Sequence, residues 1–326
     1  MKRILICGAD GFMGRNIVEY FHKQVDYDVY GTYHLGSKVV KQNCLKGDHL
    51  LGIDLTRSDH VGQLFNRVRP DIVIQAAANS SGVKDILSNP VMHVTDTLVM
   101  NALVTRACYD YSVKHFVFLS CGVMYQPGDE PRVETDFNEH DEIYPAYFGG
   151  AWMKVYTEKA CEFFSRQGRT KHTIIRHSNT YGPYDKYDPD HSHFFGANIR
   201  KVAEANRGDI ITVWGNGEET ARDLLHVSDV VRLIDLAIQN QVMSFELVNA
   251  GMGKAYTVKE VIELMIKVSG KYLRINYDNT KPVIPTKLAL DSTKARCLFG
   301  WSPRISLEQG IIDTLNWYEE HYKGKA

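Results

Sequence analysis

The chain has 326 residues, 44% hydrophobic and 24% charged, with a formal net charge of −1. These values fit a soluble globular protein of one large domain or two smaller ones, and bulk charge gives no argument for a nucleic-acid or membrane-surface partner. No apolar run approaches the roughly eighteen residues a membrane span needs, and six cysteines scattered without C-x-x-C pairs argue against zinc or a disulfide scaffold and for a reducing cytoplasm.

Lys2–Cys7 (KRILIC) reads as a short buried strand; its apolar run is too short for a signal peptide. It runs into Gly8-Ala9-Asp10-Gly11-Phe12-Met13-Gly14, then into a helical pattern over Arg15–His22. Strand, glycine-rich turn and helix set backbone N–H groups and a helix N-terminus against a pyrophosphate. Gly8 would allow the tight turn, Gly11 the approach of phosphate to backbone, and Gly14 close packing of helix on strand. The spacing is G-x-x-G-x-x-G rather than G-x-G-x-x-G, so an ordinary glycine-rich βα turn competes; the position between strand and helix favours a dinucleotide site.

Tyr27–Tyr33 is the second predicted strand and His49–Ile53 the third, ending at Asp54-Leu55. The second ends at Tyr33-His34 with Lys38 nearby and no acid, which favours NADP(H) and leaves NAD(H) open, because a 2′-phosphate meets no like charge there. Asp54 offers an acceptor to an adenine amino group; its other reading is a turn or cap aspartate before Thr56 and Ser58. Ser58–Arg69 is amphipathic and stops at Pro70. Asp71–Gln75 (DIVIQ) is a buried strand leading to Ala76, Ala77 and Ala78, small residues that suit either a cofactor pressed on the backbone or close helix–strand packing. A long helix over Val91–Tyr111, a strand over Lys114–Leu119, a helix over Ala151–Gln167 and a strand over His172–Arg176 follow. The alternation predicts a Rossmann-type, doubly wound parallel sheet of six or seven strands.

After Asn179 the character shifts to a polar, aromatic, turn-rich loop over 181–190. A helix over Asn198–Asn206, a strand over Ile210–Trp214 with a tight turn at Gly215-Asn216-Gly217, a helix over Val227–Ile238 and a final helix over Leu307–Tyr322 are predicted. Residues 1–179, with later contributions from about 223–250, form the predicted dinucleotide-binding domain; 180–326 form mainly a smaller α/β substrate-binding lobe. Repeats, low-complexity tracts and linkers are lacking, so the lobes are expected to fold as one unit.

The turn GADGFMG, Asp54-Leu55, the alanine triplet, Phe118–Tyr125 (FLSCGVMY) and Arg176–Pro183 (RHSNTYGP) occur in one order over nearly the whole chain. In this the sequence resembles the extended short-chain dehydrogenase/reductase family of nucleotide-sugar epimerases, dehydratases and reductases; Asp291–Lys294, Leu298–Pro303 and Ser306–Ile311 resemble its C-terminal signature. Within that family Asn179–Tyr187 through Ser192-His193, Val213–Gly217 with Arg222–Val227, and Tyr277–Pro282 leading to Lys287 are similar to the GDP-L-fucose synthase-like enzymes. The resemblance implies a GDP-linked sugar, a 4-keto intermediate, epimerisation followed by hydride transfer from NADPH, and a homodimer. It implies cofactor contacts at Gly8, Asp10, Gly11, Phe12, Met13, Gly14, Asp54, Leu55, Ala76, Ala77, Ala78, Lys154 and His177, and substrate contacts at Ser81, Val123, Asn179, His193, Trp214, Arg222 and Lys287. No metal is expected.

The catalytic positions depart from the family pattern, which is a Ser/Thr followed by Tyr-x-x-x-Lys. There the lysine lowers the tyrosine pKa and holds the nicotinamide ribose while the tyrosine shuttles the proton. The lysine maps to Lys154, from Lys154-x-x-x-Glu158, and four residues before it stands Gly150. The Ser/Thr position is Cys121, and the cysteine acid of the fucose synthase-like enzymes falls at Val123. Tyr156-Thr157-Glu158-Lys159 is one residue short of that spacing, lies six residues too late and reads as a coincidence on a helix surface. Tyr144 and Tyr147 precede the helix; Tyr147 is the preferred displaced phenol, with Cys121 as another donor. His193 matches an acid of those enzymes and otherwise is a loop histidine packed on Tyr184 or Tyr187. Arg222 suits a diphosphate through its planar fork, or else pairs with Glu218, Glu219 or Asp223. The leading expectation is a GDP-4-keto-sugar reductase or epimerase. The alternatives are an epimerase or dehydratase that retains NAD, and a cofactor-binding member without redox chemistry in a regulatory or scaffolding role, to which Gly150 gives weight.

Overall fold

The computed structural model describes residues 1–36, 44–80, 82–89, 91, 94–188 and 191–323. In chain order the elements are β1 (Lys2–Cys7), α1 (Phe12–His22), β2 (Tyr27–Tyr33), β3 (Leu50–Gly52), α2 (Ser58–Val68), β4 (Ile72–Gln75), α3 (Val83–Ser88), α4 (Thr95–Asp110), β5 (His115–Cys121), α5 (Phe148–Ser165), β6 (Lys171–His177) and β7 (Asn179–Tyr181). They continue with α6 (Phe194–Glu204), β8 (Ile210–Trp214), β9 (Ala221–His226), α7 (Val227–Asn240), β10 (Phe245–Ala250), β11 (Ala255–Thr257), α8 (Val258–Ser269), β12 (Arg274–Asp278), β13 (Lys287–Leu288), α9 (Thr293–Phe299) and α10 (Leu307–His321).

β3-β2-β1-β4-β5-β6-β10 form a seven-stranded sheet in which every pairing is parallel. The sequence cause is period two within continuous apolar runs. Val117 and Leu119 of β5 pack with Ile17 and Phe21 of α1 and with Val230 and Ile234 of α7. Their neighbours Phe116 and Phe118 pack on the other face with Phe65 of α2, Val104 of α4 and Cys161 of α5. The sheet is thus covered on both sides, and the strand order reverses between β1 and β4. Ligands of such sheets bind beyond the carboxyl edge at that switch point.

The second lobe holds β11-β9-β13 with β7 also on β9, a parallel β8–β12 pair, and the helices α6, α8 and α10. Its core joins Tyr181, Tyr187, Phe195, Ile262, Ile311 and Tyr318. No helix among the described residues is long and apolar enough to cross a membrane.

Several boundaries differ from the sequence reading. The helix expected over Val91–Tyr111 begins at Thr95. The strand expected from His49 begins at Leu50, because 47–49 close a 3-10 turn ahead of it. The helix expected over Asn198–Asn206 begins four residues earlier, at Phe194. The Gly215-Asn216-Gly217 turn forms, with the Asn216 side chain accepting from the N–H groups of Glu218 (2.9 Å) and Glu219 (3.1 Å). It is no hairpin, since β8 pairs with the distant β12.

Candidate active site

The glycine turn sits at the switch point. Gly8 has φ +75°, a left-handed conformation that glycine adopts without steric cost, and a Cβ there would lie 2.7 Å from Ala77 Cα. A Cβ on Gly14 would lie 2.8 Å from Ala9 Cα and 2.7 Å from the Gly8 carbonyl carbon, so only glycine lets α1 start this close to the turn. Thr32, which the sequence reading did not single out, shapes the turn: its hydroxyl accepts from Gly8 N–H (3.1 Å) and its carbonyl from Ala9 N–H (2.7 Å). Gly11 is the N-cap of α1; no side chain caps the helix and its first turn holds no acid. Eleven residues of helix dipole therefore end at a backbone free to receive an anion. These features fit a dinucleotide: a cradle that a Cβ would fill, an uncapped helix N-terminus, and small side chains after β4.

Ala77 is the surface against which Gly8 packs, so this alanine has a packing reason to be small. Asp54 adopts the turn geometry: its Oδ1 accepts from the N–H (2.9 Å) and hydroxyl (2.6 Å) of Thr56, which hold the carboxyl below its ordinary range. Leu55 beside it is buried. His34, at the end of β2, is exposed and accepts from Gly36 N–H at 3.2 Å. Lys38 and Ser81 lie outside the described residues.

Three predicted residues meet at the carboxyl edge of β5 and β6. Cys121 stands opposite His177 in the ladder. Lys154 of α5 donates to the Leu119 carbonyl at 2.7 Å and lies 4.8 Å above the Phe118 ring centroid. Burial lowers the Lys154 ammonium pKa, opposed by Cys121 and Glu158. Burial also pushes the His177 imidazole down to about 4, against its hydrogen bond to Ser178 and with the Lys154 charge adding to the fall. His177 is therefore neutral near pH 7. Its Nδ1 lies 2.9 Å from the Ser178 carbonyl and 3.1 Å from the Thr180 hydroxyl; the carbonyl can only accept, so Nδ1 carries the proton and Nε2 is left as an acceptor.

Gly150 lies on α5 one turn before Lys154, and a Cβ there meets nothing within 4 Å among the described residues. Tyr156 is exposed, and the Lys159 ammonium pairs with Glu162 at 3.2 Å, so this Tyr-x-x-Lys pair faces away from the chemistry. Tyr147 sits in the 3-10 turn Pro145–Tyr147 before α5, close enough to the Arg222 guanidinium to oppose the fall in its pKa. The titratable neighbours of the Lys154 ammonium are Cys121, Glu158 and His177, and the preferred phenol stands beside Arg222 of the second lobe.

Arg222, on β9, is buried at 9% exposure. Its fork donates to the carbonyls of Ala221 (3.0 Å), Ile284 (2.9 Å) and Thr286. The ion pairs weighed for it are overturned. Glu218 pairs with Lys259 at 2.9 Å, the Glu219 carboxylate is near Gly215, and Asp223 accepts from the N–H groups of Met252, Gly253 and Leu290 and from the Ser178 hydroxyl. Burial lowers the Arg222 pKa, Tyr147 opposing, and no carboxylate among the described residues neutralises it. A buried cation held by carbonyls and flanked by a phenol suits an incoming anion.

The remaining residues are spread around this edge. Val123 packs against the buried cluster that holds Met124, Tyr125 and Leu290. Lys287, on β13, pairs with Asp129 at 2.6 Å. Asn179 is exposed at the start of β7, and His193 is the exposed N-cap of α6. The rings of Tyr184 and Tyr187 contact Trp317, Tyr318 and Tyr322. Trp214 lines an open cleft of the second lobe with Lys201, Glu204, Asp209 and Thr212.

Comparison with known proteins agrees with this geometry. Residues 4–251 match the NAD dependent epimerase/dehydratase family. The chain is 27% identical to GDP-L-colitose synthase of Yersinia pseudotuberculosis, covering 97% of each protein. It is 30% identical to GDP-L-fucose synthase 1 of Arabidopsis thaliana, covering 97% of this chain and 93% of that one. The crystal structure of UDP-glucose 4-epimerase from Thermotoga maritima with UDP-glucose superposes with a TM-score of 0.83 at 26% identity, over 98% of this chain and 99% of that one.

Proposed function

The chain belongs to the NAD dependent epimerase/dehydratase family, and from that premise we propose that it modifies a nucleotide-diphosphate sugar, by NADP(H)-dependent reduction, epimerisation or both at a GDP-linked 4-keto-sugar. The observation that carries this reading is the convergence of Lys154, Cys121 and His177 at the carboxyl edge of the sheet that bears the Gly8–Gly14 cradle. The GDP assignment draws on the colitose and fucose synthases among its relatives. The lean to NADP(H) draws on the absence of an acid at Tyr33-His34.

The residues divide the work. Gly8, Gly11 and Gly14 seat the pyrophosphate on α1. Lys154 has one N–H on Leu119 and two left for the nicotinamide ribose, and His177 offers Nε2. When bound, the nicotinamide supplies or takes up the hydride. Arg222 takes the sugar diphosphate on the edge now held by Tyr147, with Lys287, Asn179 and Val123 around the sugar and Trp214 toward the base. With glycine at position 150, the proton for the reduced oxygen comes from Cys121 or from Tyr147 once Arg222 releases it, and His193 serves epimerisation. A homodimer through the outer faces of α4 and α5 accounts for exposed Val99, Tyr156 and Phe163.

The test is turnover of GDP-4-keto-6-deoxymannose with NADPH, its product identified by NMR, for the wild type and for Tyr147→Phe with His193→Asn. NADPH consumption that falls in the double variant supports the proposal. An epimerised or dehydrated sugar without net cofactor consumption assigns the retained-NAD reading, and NADPH binding without turnover refutes the reductase reading.

A further inference from the structure

Beneath Lys154 lies a buried polar chain that the chemistry above does not use. Glu158 stands one helical turn after Lys154 on α5, and Ser120 and Arg176 are ladder partners on β5 and β6. Glu158 Oε1 accepts from the Ser120 hydroxyl (2.6 Å) and from Arg176 Nε (3.0 Å); Oε2 accepts from the other arm of the fork (2.6 Å). Both members of the pair are 4% exposed. The Arg176 guanidinium also donates to the Tyr125 hydroxyl (2.8 Å), which donates to Asn249 Oδ1 on β10 (2.8 Å), and it lies over the Tyr125 and Phe137 rings. Asn249 donates in turn to the Arg132 carbonyl at 2.8 Å. Residue 132 pairs with Leu290, next to β13.

A buried ion pair is weak evidence for stability, because well-packed apolar residues often do as well. Its placement suggests what it does. Ser120 lies between Leu119, whose carbonyl receives Lys154, and Cys121. The pair therefore anchors both the helix that carries Lys154 and the strand end that receives it. It also sets the charge one turn below the ammonium: a carboxylate already matched by a guanidinium. The other titratable groups facing Lys154 are Cys121 from β5 and His177 from β6.

We propose that Glu158 and Arg176 are positioning residues for Lys154: their neutralised pair fixes where the ammonium sits and the pH range over which it stays charged. This rests on the reading of Lys154 as the ribose-holding cation, but its test does not depend on cofactor binding. The reactivity of Lys154 toward an amine-acylating reagent is followed against pH by peptide mass spectrometry, on the full chain without added ligand. Glu158→Gln leaves the Arg176 cation unmatched, and the midpoint falls by about one pH unit. Arg176→Met leaves the carboxylate unmatched, and the midpoint rises by a similar amount. The double variant, neutral at both positions, returns toward the wild-type midpoint and also serves if a single variant folds poorly. Ser120→Ala keeps both charges and leaves the midpoint unchanged. Single-variant midpoints that stay put or move the same way, or a double variant displaced as far as a single one, overturn the proposal. NADPH affinity measured in parallel reads the cofactor role of Lys154 separately: a wild type that binds no NADPH refutes that role and leaves the midpoint test standing.

Discussion

Gly150 is the position at which this chain departs most from its family's pattern, and the structure makes the departure testable. It lies inside α5 with no positive φ and with no neighbour that a Cβ would strike among the described residues. Gly149 beside it has a packing reason to be glycine, since its Cβ would meet Val94 Cγ2 at 2.8 Å. Glycine in a helix costs about 0.5–1 kcal/mol relative to alanine. Gly150→Ala should therefore stabilise the protein by up to that amount. With an unfolding entropy of about 2.1 cal/mol/K per residue, the melting temperature should rise by roughly 1 °C in a chain of this length. Gly150→Tyr places a phenol one turn before Lys154 on the same face, and Gly150→Phe is the same ring without the acid. General acid catalysis contributes about 10²–10⁴-fold, so Gly150→Tyr should reduce the keto-sugar faster than Gly150→Phe by a ratio in that range. NADPH affinity should be equal in the two. Stopped-flow NADPH oxidation and calorimetric melting decide it. Equal rates for the two variants would show that a side chain at position 150 does not reach the reacting carbon. A destabilised Gly150→Ala would show that the space is not open.

Gly14→Ala should lower NADPH affinity by at least tenfold and destabilise by about 1–3 kcal/mol, because its methyl meets backbone that cannot give; fluorescence titration and melting check both. Arg222→Lys should weaken GDP binding by about tenfold while NADPH affinity holds, since a lysine cannot reproduce a fork that spans three carbonyls; calorimetry with each nucleotide reads the split. Acidification should destabilise the fold from about pH 6.5 downward. Burial holds His115 at about 4 and His172 at about 3, against an ordinary value of 6.5, so over that window the unfolded chain binds more protons than the native one. The stability the neutral imidazoles contribute is full above pH 6.5 and falls by roughly 1.4 kcal/mol per pH unit for each histidine until the folded pKa is reached. His172→Phe should flatten the decline in urea midpoints between pH 6.5 and 4.

What was legible in the sequence is what local pattern and spacing encode. β1 falls where KRILIC places it, because a buried parallel strand is a continuous apolar run before a turn, and β2 falls where the β-branched and aromatic YDVYGTY places it, though only half-buried. Gly8 and Gly14 could be read because close backbone approach leaves only glycine. Contacts between distant segments were not legible. Thr32 shapes the glycine turn from another strand, and two of the three Arg222 carbonyl partners lie more than sixty residues away. Tyr147 could be seen to stand near the right helix, but its attraction to Arg222 requires knowing that β9 passes beside it. One clue was available: Lys154-x-x-x-Glu158 puts an acid on the lysine's own helix face, and Arg176 is its counterpart only once β6 lies beside β5.

The site can be recognised by local features that work against stability and cluster in one place. Within a few residues of α5 the chain carries a glycine inside a helix, a desolvated lysine and a buried ion pair, and on β9, beside Tyr147, a buried arginine with no carboxylate partner among the described residues. Each opposes folding alone, and their coincidence marks a surface shaped by something other than stability. Lys154→Met separates the two demands. It removes a charge that burial disfavours, keeps most of the side-chain volume, and forfeits one hydrogen bond to Leu119. The expected result is a protein more stable by on the order of 1 kcal/mol that has lost at least tenfold in NADPH affinity. Were Lys154→Met both less stable and unchanged in cofactor binding, the ammonium would be a structural pin for β5, and the active-site reading of α5 would fail with it.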